Sequence, residues 1–351
     1  MLHHRRVLVL MLIAMALLVG IASCASPTPP PAPQATTPLP PNAQPTAPQP
    51  SIFPTKVSFR LDWIAGAQHS PFYLAKERGY YAKEGIDLDI ISGSGSADAV
   101  KFLGTGSVDL ALVDGLVLVQ AKEKEVPLQS IAVLYQRTPI SIMSPQSKPI
   151  KTPQELLNKK LGSKKGSATY QGLMVFLEAN NIKPEQLQMI DVGFGAQPLL
   201  VGQVDAMMAF TMNEPVDAES SGMPVYEIMI TDYGVYAYGL SIVASDKFIK
   251  EKGNLLKGFL RATKKGMEEA AKDNQVAVDA LAKAVSEIDK AREMKVLSKT
   301  IPVWGSDDTK ANGYGWQTDA GWQQTVDTAV RLKLIEKAPS TKNVFTNDFL
   351  K

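Results

Sequence analysis

Cysteine occurs once in the 351 residues, at Cys24. Everything beyond it must hold its shape without a disulfide, a thiolate metal site or a cysteine nucleophile. A chain so restricted folds by burying apolar side chains. The stretch from about residue 51 to 351 is long enough for two compact domains, and 45% hydrophobic with 21% charged residues is ordinary for a globular body.

Cys24 ends a leader. Arg5 and Arg6 precede an almost uninterrupted apolar run, Val7 to Val19. That run is too short for a comfortable membrane span and suits the h-region of an export signal. Ile21-Ala22-Ser23-Cys24 resembles a bacterial lipobox, in which the cysteine receives the lipid. Residues 1–23 are therefore expected to be a signal peptide and Cys24 the lipidation site. An ordinary secretory signal with a chance cysteine is the alternative. Residues 25 to 55 carry no charge, and 11 of the 24 prolines fall between Pro27 and Pro50. With too little apolar surface to fold and a lean toward polyproline II, residues 24–55 are expected to form a disordered tether. Stretched, such a segment reaches about 80 Å at roughly 3.1 Å per residue. Removal of Arg5 and Arg6 leaves 35 basic against 35 acidic residues. A neutral mature chain gives no support for nucleic-acid binding. No second long apolar run follows the leader.

Behind the tether, strand and helix signals alternate. Lys56 to Trp63 reads as a strand, Pro71 to Lys83 as a helix with proline in its first turn, and Ile86 to Ile91 as a strand. Val108 to Val113, Leu128 to Tyr135 and Pro139 to Met143 are further strands. Thr152-Pro153-Gln154-Glu155 is a capping box that predicts a helix start. Such alternation implies a parallel, helix-covered sheet. One internal echo organises it: Gly106-Ser107-Val108-Asp109-Leu110-Ala111 is matched 96 residues later by Gly202-Gln203-Val204-Asp205-Ala206-Met207. Each copy follows a short helical stretch (Ala97 to Leu103; Pro198 to Val201) and leads into a buried strand with a polar loop, at Asp114-Gly115 and at Thr211 to Glu214. The echo predicts two similar α/β lobes, with ligand loops at the carboxyl ends of their strands.

Leu61-Asp62-Trp63, His69 and Gly79-Tyr80-Tyr81-Ala82-Lys83-Glu84-Gly85-Ile86-Asp87-Leu88 resemble the NMT1/THI5-like family. The likeness continues through Gly93-Ser94-Gly95-Ser96, the first echo copy, Gly239 to Lys247 and Leu255 to Leu281, covering most of residues 56 to 335. It implies a type 2 periplasmic-binding-protein fold: α/β, two lobes, each a mixed, mostly parallel sheet flanked by helices, with a two-strand hinge. Lobe 1 is expected at 51–140 plus 241–351 and lobe 2 at 141–240. The Trp63 and His69 spacing resembles the branch that binds pyrimidine precursors of thiamine, to which riboflavin-binding importers look related.

The candidate cleft is assembled from loop ends. Trp63, at the end of the first strand, offers a face for a heteroaromatic ring; a core tryptophan is the alternative. Gln68 and His69 precede Tyr73 in a loop and offer hydrogen bonds to an amide or ring nitrogen. Ser94 and Ser96 sit in a glycine-rich strand-to-helix turn that favours a carbonyl or anion and lacks the lysine of a P-loop. Ser167 and Tyr170 occupy the corresponding place in the second lobe. Asp114, Tyr135, Phe210, Asn213, Glu214, Tyr236 and Tyr238 complete the ligand-binding set. Asn213 as a helix N-cap with Glu214 at the helix start is an equal reading of that pair. Trp304, Trp316 and Trp322 are expected mostly to pack. Met207, Met208, Met212, Met223 and Met229 fill core, with no histidine or cysteine beside them to make a metal site.

No catalytic residue, metal or cofactor is expected. The expected function is an extracytoplasmic, lipid-anchored, monomeric binding protein of an ABC importer. It would capture a small heteroaromatic vitamin or precursor, riboflavin or a thiamine-type pyrimidine, and hand it to a permease. Sulfonate or nitrate binding is the same-class alternative and would want basic residues at the cleft, where only Arg60, Arg137, Lys164 and Lys165 are near. The resemblance also includes a pyrimidine synthase whose own histidine is consumed, with a cysteine-rich segment nearby. His69 looks like that histidine, but no cysteine follows Cys24. A structural surface lipoprotein is a third reading.

Overall fold

The computed structural model describes residues 54–193 and 195–351. The signal peptide, Cys24 and the proline tether lie outside the described residues.

The first half runs β1 (Thr55–Arg60), α1 (Ser70–Glu77), α2 (Tyr80–Lys83), β2 (Ile86–Ile91), α3 (Ser96–Gly104), β3 (Leu110–Asp114), α4 (Gly115–Glu123) and β4 (Leu128–Val133). The chain then crosses to β5 (Ile140–Pro145), β6 (Lys160–Ser163), α5 (Ala168–Ala179), β7 (Gln188–Asp191), α6 (Gln197–Leu200), β8 (Ala206–Phe210), α7 (Glu214–Ser220) and β9 (Val225–Met229). It returns as β10 (Leu240–Ser245) and closes with α8 (Asp246–Glu251), α9 (Gly253–Lys272), α10 (Asn274–Ala284), α11 (Lys290–Thr300), α12 (Asp307–Asn312) and α13 (Asp319–Arg331). Among the described residues no helix is long and apolar enough to cross a membrane.

Two five-stranded sheets result, ordered β2-β1-β3-β10-β4 and β7-β6-β8-β5-β9. Each is mixed, with two parallel and two antiparallel pairings. The antiparallel pairs arise because the strand just after each crossing, β5 or β10, enters its sheet beside the echo strand and runs against it. The echo strands β3 and β8 therefore hold the same central position. The echo itself is a stop-and-start device. Gly106 and Gly202 both adopt φ +70 and end α3 and α6 with matching back-bonds: Ser107 N–H to Phe102 O, and Gln203 N–H to Pro198 O, 2.9 Å each. The aspartate three residues on then stitches the echo strand to its neighbour. Asp109 Oδ2 accepts from Ser58 N–H at 2.8 Å, and Asp205 Oδ2 from Lys160 N–H at 2.9 Å.

Two helix expectations change. Pro71 to Lys83 is split into α1 and α2, because Gly79 turns left-handed at φ +68. Thr152–Glu155 starts only a 3-10 turn, Pro153–Leu156. Thr152 makes no side-chain cap, Glu155 binds the Lys151 N–H at 2.9 Å instead, and Leu157 is already extended toward β6.

The first half packs around Phe59, whose ring lies 4.7 Å from Phe72 and 5.4 Å from Phe259. Helix α9 comes so close to α1 that a Cβ on Gly266 would stand 2.3 Å from Pro71 O. Trp304 and Trp322 are buried, Trp322 donating to Gln317 Oε1 at 2.9 Å; Trp316 is half-buried. Met207, Met208 and Met212 are buried in apolar clusters.

The halves are joined by two crossings, at 134–139 and 234–239. These segments bond to each other: Thr138 N–H to Ala237 O at 3.0 Å, Gly239 N–H to Tyr135 O at 3.0 Å. Gly239 is required there, since a Cβ would lie 2.9 Å from the Tyr135 Cβ.

Candidate functional site

The carboxyl ends of the central strands of both sheets meet across the molecule. Past β1 the chain bends through Asp62 and Trp63. Gly93, past β2, donates its N–H to Trp63 O at 2.9 Å. It sits so close that a Cβ there would fall 1.9 Å from Leu61 O. From the opposite half comes Gly166-Ser167, the turn between β6 and α5. Ala97 N–H donates to Gly166 O at 3.2 Å, and a Cβ on Gly95 (φ +141) would meet that same oxygen at 2.8 Å. The glycines of Gly93-Ser94-Gly95-Ser96 thus let two loops touch backbone to backbone.

Around this contact, Asp62, Trp63, Ser96, Ser167, Phe210 and Glu214 enclose a cavity of about 20 Å³, with Gly95, Ala168 and Thr169 filling its wall. Trp63 and Glu214 also wall a groove of about 540 Å³ that includes Gln68, Asn213, Asp217, Arg292 and Glu293. The cavity alone holds roughly one water. The adjoining groove is the roomier space.

Acceptors dominate the walls. Asp62 is buried and held from behind: His69 Nε2 is 2.9 Å from Asp62 Oδ1, while Gly66 N–H points at His69 Nδ1 at 3.4 Å. With Nδ1 accepting, Nε2 carries the proton and donates to the carboxylate. Glu214 Oε2 accepts from Phe210 N–H at 2.9 Å, and burial pushes its carboxyl up to about 7. Asp114, behind Ser96, caps α4 through Oδ1 to Leu116 N–H at 3.0 Å, while Oδ2 has no partner among the described residues. Burial raises this carboxyl to about 7 as well, with nearby Asp62 adding to the effect.

Ser96 Oγ accepts from Asp114 N–H at 3.1 Å, and Ser167 caps α5 by accepting from Tyr170 N–H at 3.2 Å. Asn213 stands at the N-cap position of α7 without a side-chain cap bond and instead lines the groove.

The other sequence candidates lie elsewhere. His69 is fully buried and touches Asp62 rather than the cavity, because the 3-10 turn Ala67–His69 points it inward. Ser94 is exposed and donates to Asp98 at 2.8 Å. Tyr73 lines a separate groove of about 610 Å³ with Lys76, Asp89 and Lys283. Tyr135 is buried at the first crossing. Tyr170 is half-buried and is not among the cavity's walls. Tyr236, half exposed, and Tyr238 border a groove of about 400 Å³ with Gln136, Arg137 and Asp232 at the two crossings, which run as irregular chain rather than as the expected hinge strands. The Tyr238 hydroxyl accepts from Thr318 N–H at 3.1 Å and its ring packs edge-on to Trp322, so α13 draws it away from the cavity.

Sequence reasoning missed Asp62, Asp217, Arg292 and Glu293 as site residues. Arg292 on α11 donates to Asp217 on α7 and to its own neighbour Glu293, while Glu293 accepts from Ala67 N–H. This chain of bonds fastens α7, from the second half, to the Trp63 loop. Lys299 with Glu219 at 3.7 Å and Lys295 with Ser220 at 3.3 Å extend the α11–α7 contact. For Asp62 a signal existed, a charged residue directly after a buried strand; for Arg292, more than 200 residues from Trp63, there was none.

The sequence profile described as NMT1/THI5 like matches residues 66–277. A riboflavin-binding protein of Chloroflexus aurantiacus is 26% identical, covering 94% of each chain. A formylaminopyrimidine-binding protein of Halalkalibacterium halodurans is 26% identical over 83% of this chain and 89% of that one. A 4-amino-5-hydroxymethyl-2-methylpyrimidine phosphate synthase of Legionella pneumophila is 24% identical over 86% and 94%. Among solved structures, the alkanesulfonate-binding protein of Xanthomonas axonopodis superposes with a TM-score of 0.64 at 15% identity, over 84% of this chain and 98% of that one. The periplasmic nitrate-binding protein of Synechocystis gives 0.66 at 14%, over 84% and 87%. By name, the similar proteins include both binding proteins and a synthase. With two mixed, helix-flanked sheets joined by two crossings, this chain has the periplasmic-binding-protein fold and belongs to the NMT1/THI5-like family.

Proposed function

We propose that the protein is the extracytoplasmic binding component of an ABC importer. In this reading it captures a small heteroaromatic vitamin or precursor, riboflavin or a thiamine-type aminopyrimidine, between lobes at 51–140 plus 241–351 and 141–240. Cys24 carries the lipid that keeps it beside its permease. The observation that carries the reading is the pairing of an indole face, Trp63, with carboxylates from both halves, Asp62 and Glu214, around one cavity. A flat ring stacks on the first while its amino or hydroxyl donors meet the second. Binding and closure then become one event, and the closed form is what a permease recognises.

A sulfonate or nitrate ligand fits the walls less well. Arg60 is bonded to Asp98 at 2.6 Å, Arg137 borders the groove at the two crossings, and Arg292 is already paired with two carboxylates. A synthase that consumes its own histidine needs that imidazole at the substrate, and His69 is buried behind Asp62. The test is thermal denaturation of the purified protein with riboflavin, hydroxymethyl- and formylaminopyrimidine, taurine and nitrate. A melting shift with a heteroaromatic compound is expected; a shift only with taurine or nitrate would overturn the ligand assignment.

A further inference from the structure

We infer that the cleft takes its ligand in the unphosphorylated form and excludes the corresponding phosphate ester by charge. The inference rests on the heteroaromatic reading above and sharpens it. The cavity presents Asp62 and Glu214, and the groove into which any substituent would extend adds Asp217, Glu287, Asp289 and Glu293. The only basic side chain lining either space among the described residues is Arg292. Its guanidinium donates to Asp217 and Glu293, so recruiting it to a phosphate would leave two carboxylates uncompensated.

Helix starts offer the usual compensation for an anion, and four lie here: α3 and α5 at the cavity, α7 and α11 at the groove. The start of α11 is capped by Asp289, and that of α7 carries the carboxyl groups of Glu214 and Asp217 in its first turn. The donors of α3 and α5 are partly taken: Ala97 N–H by Gly166 O at 3.2 Å, and Tyr170 N–H by Ser167 Oγ at 3.2 Å. A further start behind the cavity, at α4, is capped by Asp114. A phosphate dianion placed in the groove therefore faces Glu214, Asp217, Glu287, Asp289 and Glu293 against the single guanidinium of Arg292, in a partly enclosed space where salt screens poorly. A neutral hydroxyl or amine meets acceptors that need donors.

The experiment measures affinities by titration calorimetry for two matched pairs, riboflavin with riboflavin 5′-phosphate and hydroxymethylpyrimidine with its monophosphate. The native protein is compared with a Glu287→Lys/Asp289→Asn variant, in which Asn keeps the cap on α11. At least about 100-fold weaker binding of the ester than of its alcohol is expected, narrowing at least tenfold in the variant. Equal affinity of alcohol and ester would overturn the charge exclusion while leaving the heteroaromatic reading intact. Discrimination that persists unchanged in the variant would assign it to shape and overturn the inference too. Failure of all four compounds, with binding of taurine or nitrate, would overturn the underlying reading instead.

Discussion

His69 Nε2 stands 2.9 Å from Asp62 Oδ1, with the imidazole fully buried and the carboxylate at the cavity wall. The ring works behind the site: it fixes which way the carboxylate faces. His69→Ala should therefore lower stability by about 2–3 kcal/mol, from the lost bond and the space left behind. It should also weaken ligand binding by about tenfold. His69→Gln, which retains a donor, should recover part of the affinity. Urea unfolding and calorimetry on both variants check this; full affinity in His69→Ala would show that Asp62 needs no such support.

Trp63 is only half-buried and walls both the cavity and the groove. Trp63→Ala should weaken a heteroaromatic ligand by about 1 kcal/mol or more beyond its cost to stability. Equal losses in binding and in unfolding free energy would assign the indole to the core.

Arg292→Gln removes the Arg292–Asp217 ion pair between α11 and α7, leaving Lys299–Glu219 and Lys295–Ser220. The pair is partly exposed, so its loss should cost about 1–3 kcal/mol, between the values for surface and buried pairs. The cost should fall on the closed arrangement. Ligand dissociation should quicken in stopped flow, and the radius of gyration should rise in small-angle scattering. A normal off-rate with lowered global stability would make Arg292 merely structural.

Gly95→Ala tests the loop contact. A Cβ at φ +141, 2.8 Å from Gly166 O, forces the halves apart or strains the turn. Affinity should drop by about tenfold or more, while the circular dichroism spectrum stays native. Unaltered affinity would mean that the two turns need not touch for binding.

Glu214 gives a pH prediction. Its carboxyl is moved by burial from an ordinary 4.5 to about 7. Between those pH values the folded protein keeps a proton that the unfolded chain has released, so stability falls as pH rises, and the full cost is present above 7. Glu214→Gln removes that cost and still accepts from Phe210. Its melting temperature should exceed the parent's above pH 7, by on the order of 1–3 kcal/mol of stability, with the gain vanishing below 4.5. A gain independent of pH would show that ionisation is not the cause.

Much of the architecture is legible in the sequence. Alternating patterns placed β1 and β2 because one strand face is buried, and period 2 records that directly. The echo located β3 and β8 because a helix stop and a strand start both need particular backbone chemistry, a left-handed glycine and a side chain to hold the next N–H. Trp63, Ser96, Ser167, Phe210 and Glu214, expected at the carboxyl ends of strands, all lie along the cavity. What sequence left undecided was direction. Tyr238, His69 and Trp63 look alike as polar or aromatic residues beside a strand end. Packing against Trp322 turns the first away, a 3-10 turn buries the second, and a glycine beneath the loop holds the third at the cavity. The sequence alone determined where the strands of the first half and the two echo strands run, since these follow from local patterns. The tertiary structure decided which side chains share the cleft and that Arg292 clasps it, because those contacts join residues with no local relation.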